Sequence, residues 1–70
     1  MDISELRAAM GKKNISIPRL ATLIGMNKKT LYSRIYQSTD FKQSEISAIS
    51  KVLELSNSEI LNIFFAEKVS

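Results

Sequence analysis

Seven of the ten basic side chains in this 70-residue sequence, Lys12, Lys13, Arg19, Lys28, Lys29, Arg34 and Lys42, lie between positions 12 and 42, where Asp40 is the one acid. That segment carries +6, while the remainder sets Arg7, Lys51 and Lys68 against Asp2, Glu5, Glu45, Glu54, Glu59 and Glu67 and carries −3. Ammonium and guanidinium groups are donors with no acceptor, so their chemistry is the pairing of anions. Gathered on one segment, they have the footprint of a phosphate-binding face. The chemistry of turnover is missing. There is no His and no Cys, which removes the common general bases, thiol nucleophiles, zinc ligands and any disulfide framework. Gly11 and Gly25 are fourteen residues apart and each reads as the end of a helix, so neither belongs to a phosphate-cradling loop. The scattered carboxylates of so short a chain have no second layer to form a pocket. The sequence therefore predicts no enzyme, no metal, no cofactor and no small-molecule ligand.

The basic segment must be held by something, and residues 16–37, SIPRLATLIGMNKKTLYSRIYQ, read as two short helices joined by one tight turn. Leu20, Ala21 and Ile24 share one helical face, and Leu31 and Ile35 repeat the i, i+4 relation after the turn. Gly25 suits a left-handed cap at the end of the first helix, because without a Cβ it takes positive φ at little cost. Asn27 suits the N-cap of the next. Only Met26 separates the two caps, so the helices must cross steeply, as in a helix-turn-helix unit, and small Ala21 lets them approach. Ser16 is the expected cap of the first helix, with Pro18 in its first turn, where a missing N–H costs nothing. Arg19, Thr22 and Leu23 fall off the buried face. On the second helix, about residues 28–36, Leu31 and Ile35 bury while Lys28, Lys29, Tyr32, Ser33 and Tyr36 lie outside that stripe.

Ala21, Gly25, Met26 and Leu31 fall in the pattern of small, glycine, apolar and apolar positions of the Cro/CI-type phage repressors and related bacterial regulators, which this stretch resembles. Residues 41–65, FKQSEISAISKVLELSNSEILNIFF, resemble the closing helices of small Cro-like proteins, so the likeness spans nearly the whole chain. It implies an all-α, compact five-helix, lambda-repressor-like DNA-binding domain. It also implies a recognition helix in the major groove, which places Asn27, Lys28, Lys29, Tyr32 and Ser33 at base edges. Lysine can donate to guanine O6 and N7, asparagine can read adenine, and tyrosine can pack on a thymine methyl or bond a phosphate. Asn27 has its capping duty in competition with base reading. Ser16, Arg19, Thr30, Arg34, Tyr36 and Lys42 complete the expected phosphate contacts. Where relatives carry an apolar residue this chain has Arg34, which either reaches a phosphate or pairs with an acid such as Glu45.

The flanking segments read as support. Asp2 and Glu5 form a capping box for a first helix that buries Ile3, Leu6 and Met10 and ends near Gly11. After a polar connector, Ile15 or Ile17 tucks back into the core. Residues 37–40 connect to a fourth helix beginning near Lys42, with Phe41 anchoring it and Ile46, Ile49, Val52 and Leu53 in the core. Lys42 stands where the family often has Ser or Thr, so a cap worth roughly 1 kcal/mol is missing unless Asp40 or Ser44 supplies it. Ser56 and Glu59 form a second capping box for a fifth helix at about residues 56–66. Ile60, Leu61, Ile63, Phe64 and Phe65 spread apolar surface around most of that helix, too much for one side to bury. Leu61, Phe64 and Phe65 are therefore expected at a dimer or partner interface, unless residues 66–70 fold over them.

Residues 1–70 are expected to form one domain, burying only about 60% of its extended surface and so modestly stable unless it associates. The opening MDISELRAAM has two acids and no long apolar run, which predicts neither a signal peptide nor a membrane span and suits a bacterial cytoplasm. The resemblance implies a transcriptional repressor acting by promoter occlusion, a homodimer on a double-stranded operator. The rival is a protein-interaction module, an antirepressor or modulator that uses the same fold to mask a partner repressor.

Overall fold

A computed structural model describes residues 1–37 and 40–65, which form five helices: α1 (Ile3–Lys12), α2 (Ile17–Ile24), α3 (Lys28–Tyr36), α4 (Gln43–Leu53) and α5 (Asn57–Phe64). α2 is the hub, packing on both α3 and α4, while α1 packs on α5. The core draws Leu6, Ala9 and Met10 from α1, Leu20 and Ala21 from α2, Leu31 and Ile35 from α3, Ile49 and Leu53 from α4, and Ile63 from α5. The Cα radius of gyration of 11.2 Å is that of a closed packing for this length. Ile15 and Ile17 both lean on this core, as do Ile3, Phe41 and Val52. No helix among the described residues is long and apolar enough to cross a membrane.

Three helices stop by one device. Gly25 (φ 71°) ends α2, and beyond it Met26 N–H donates to Ala21 O at 2.9 Å. α1 stops the same way at Asn14 (φ 57°), with Ile15 N–H on Met10 O at 3.0 Å, and α4 at Glu54 (φ 53°), with Leu55 N–H on Ser50 O at 2.9 Å. Each is a left-handed residue followed by an apolar one that folds back, the Schellman arrangement. Ile15, Met26 and Leu55 all pack against the core. Gly11 lies within α1 and does not end it as expected; Asn14 has that role, being among the few non-glycine types that enter the left-handed region readily. Lys13 and Glu54, beside and within the two non-glycine stops, are bridged by an ion pair of 2.6 Å.

The starts differ more. α5 has the full capping box, Glu59 N–H donating to Ser56 Oγ at 3.1 Å and Ser56 N–H to Glu59 Oε1 at 2.9 Å. α1 has half of its expected box. Asp2 Oδ1 accepts from Glu5 N–H at 3.1 Å, but Asp2 N–H donates to Ile63 O at 2.7 Å and ties the start of the chain to α5. At α4 neither Asp40 nor Ser44 replaces the missing cap. Lys42 is the N-cap residue and a lysine cannot accept, so Glu45 works alone, its Oε1 receiving Lys42 N–H at 2.7 Å.

Candidate nucleic-acid interface

α2 and α3 meet across Gly25 and Met26 as the sequence spacing predicts, and their burial leaves α3 with one face in and one face out. Leu31 and Ile35 are at most 1% exposed. Lys28, Lys29, Thr30, Tyr32 and Tyr36 are all exposed, and Ser33 is half-buried at the edge of the stripe. Asn27 is committed to the helix start, its Oδ1 accepting from Lys29 N–H at 2.8 Å. Ser16 holds the same post for α2, its Oγ accepting from Arg19 N–H at 3.3 Å, and this leaves the Arg19 side chain in solvent.

The first turns of α2 and α3 contain no acid. A helix start carries partial positive charge on its unpaired N–H groups. Lys28 and Lys29 add two full charges there and Arg19 a third on α2, all against the local field. Anions are what such a face takes up.

Among the described residues, two of the seven cations in residues 12–42 are neutralised by acids from outside the segment. Lys13 pairs with Glu54, and this hydrogen bond and charge hold the Glu54 carboxyl below its ordinary value. Arg34 Nη2 pairs with Glu45 Oε2 at 3.2 Å, with 16% of each side chain exposed, and Arg34 Nη1 donates to Asp40 O at 3.0 Å. Of the two roles open to Arg34, the structure displays the pairing. Arg34 binds the end of α3 to the start of α4 through the carboxylate that also caps Lys42. Its Nε is buried without a partner among the described residues. Arg19, Lys28, Lys29 and Lys42 make no ion pair among the described residues.

Arg7 also lies near this face. It sits one turn from Met10 on α1 and borders an open cleft of about 360 Å³ that also takes in Ser16, Pro18, Tyr32 and Tyr36. The two tyrosines on this cleft stack, with ring centroids 5.8 Å apart.

At the opposite end of the chain the expected patch divides. Phe64 is half-buried and meets Phe41 edge-to-face at 5.6 Å, so it belongs to the packing of α5 on the α3–α4 connector. Leu61 and Phe65, one turn apart, remain 58% and 57% exposed. Phe65 also borders an apolar groove of about 480 Å³ with Ile46, Leu55 and Ile60. Whether residues 66–70 cover it lies outside the described residues. Among the described residues no group of three or more acids is arranged to hold a metal ion.

Against known families, the Cro/C1-type HTH DNA-binding domain matches residues 5–65. No curated protein and no solved structure gives a significant match.

Proposed function

The chain belongs to the Cro/C1-type HTH DNA-binding domain family, and from that premise we propose that it is a sequence-specific repressor of a phage or mobile element. It reads DNA with α3 and acts in the bacterial cytoplasm by occupying a promoter. The observation that carries this reading is the division of α3: Leu31 and Ile35 inward, Lys28, Lys29, Tyr32 and Tyr36 outward with no acid in the first turn. Lys28, Lys29 and Tyr32 face base edges, with Ser33 at the margin. Asn27 serves first as a cap. Ser16, Arg19, Thr30, Tyr36 and Lys42 meet phosphates, and Arg34 acts from behind as a clamp. One copy reads too short a site for useful affinity. Leu61 and Phe65 therefore join two copies, and the whole of residues 1–70 acts as one domain.

The exposed Leu61–Phe65 pair also supports a second reading, in which the partner at α5 is a repressor whose DNA-reading surface this chain masks. Selection from a random duplex pool at near-physiological salt separates the two. Enrichment of a two-fold repeat is the expected result. Sequence-blind binding alone, or none, would transfer the weight to the masking role.

A further inference from the structure

Tyr32 and Tyr36 stand one turn apart on the outward side of α3, 45% and 48% exposed, with rings stacked at 5.8 Å and 27°. Neither hydroxyl has a hydrogen-bond partner among the described residues. On an exposed helix face a stacked neighbour three or four residues away restricts an aromatic side chain. Tyr36 is that neighbour for Tyr32. Both rings line the cleft that Arg7, Met10 and Pro18 also line.

We infer that Tyr36 is a positioning residue for base reading: stacked on Tyr32, it fixes the plane in which that ring meets a base pair, and the paired rings select the 5-methyl group of thymine. This rests on the reading of α3 as the groove-entering helix. In the major groove thymine alone presents an apolar methyl, beside donors and acceptors on the other bases. A ring held by a stacked neighbour offers the methyl a fixed apolar surface. A ring free to turn would offer its hydroxyl to many acceptors and discriminate little. The same stack gives Tyr36 a role beyond the phosphate contact of its hydroxyl, because what it contributes to base reading is its ring.

The test uses the full chain and the operator recovered by selection. Each thymine is replaced in turn by deoxyuridine, which deletes only the methyl, and wild type, Tyr36→Phe, Tyr36→Ala and Tyr32→Ala are titrated by anisotropy. At one thymine of each half-site the replacement should weaken wild type and Tyr36→Phe by about fourfold, the worth of one buried methyl group. It should have no effect on Tyr36→Ala or Tyr32→Ala. Tyr36→Leu repeats the arm if the alanine variant melts early. Uridine sensitivity that survives Tyr36→Ala would overturn the inference. So would a Tyr36→Phe variant as weak as Tyr36→Ala on every operator, the mark of a hydroxyl on a phosphate. An operator with no uridine-sensitive thymine defeats this inference alone. A pool that yields no operator defeats the reading of α3 beneath it.

Discussion

The helices fall into two groups by what stands at their third position. In α1, α4 and α5 it is Glu5, Glu45 and Glu59; in α2 and α3 it is Arg19 and Thr30, and α3 places Lys28 and Lys29 ahead of it. A charge in the first turn is worth about 0.3–1 kcal/mol, favourable for an acid and unfavourable for a base. The supporting helices follow that rule and their carboxylates also close caps on Lys42 and Ser56. The helix-turn-helix pair runs against it. Its stability comes from the buried stripes and from neutral caps, and its first turns hold no acid. One set of helices is arranged to hold; the other is held and, on the function proposed above, binds.

The largest effect should come from the holding set. Ile49 is 0% exposed on α4, and Ile49→Ala should cost about 2–5 kcal/mol, close to the whole stability of a chain this small. Thermal melting reads it, and a Tm within a few degrees of wild type would remove α4 from the holding set. The link between the two sets comes next. Arg34→Ala strands the half-buried Glu45 carboxylate and should cost about 1–3 kcal/mol, non-additive with Glu45→Ala in a double-mutant cycle. The slope of log affinity on log salt should stay unchanged, whereas a phosphate contact at Arg34 would lower it by about 1.

Within the binding pair, Gly25→Ala should cost about 1 kcal/mol. The space around it is open, so the penalty is that of the left-handed backbone alone, and Gly25→Asn should recover part of it. The smallest effect is titration of the support acids. Glu54 is held below its ordinary value of 4.5 by Lys13, and Glu59 by the backbone and hydroxyl of Ser56. A depressed carboxyl stabilises the fold above its unfolded pKa and ceases to as pH falls through the folded one. Melting temperature should therefore hold from neutrality down to about pH 4.5 and decline below it, and less so in Glu59→Gln. A Tm that rises on acidification would contradict these caps.

Where a residue's own chemistry dictates its place, the sequence was a sufficient guide. Gly25, Asn27, Ser16, Ser56 and the Leu31–Ile35 stripe stand where spacing and capping rules put them. The stops at Asn14 and Glu54 were obscured because glycine is the usual sign and neither is glycine; the apolar residue after each, Ile15 and Leu55, was the readable half of the motif. Arg34 could not be resolved because both its partners, Glu45 and the Asp40 carbonyl, are set by the angle of α4 on α3, a tertiary fact. The C-terminal apolar cluster was legible as too large to bury, but not as divided. Only the packing of α5 gives Phe64 to Phe41 and leaves Leu61 and Phe65 outside. The net positive segment was likewise visible, and the Arg34–Glu45 pair stood as one of two alternatives, while the neutralisation of Lys13 by Glu54 was not visible.

The opposition between holding and binding helices is tested most directly by Lys28→Glu combined with Lys29→Glu, melted and titrated against the selected operator from one preparation. Both side chains are exposed in the first turn of α3, so reversal turns two unfavourable helix placements into favourable ones. Tm should rise by several degrees, while affinity falls by roughly a hundredfold and the salt slope becomes shallower. A Tm that falls along with affinity, or an affinity that survives the reversal, would contradict that opposition.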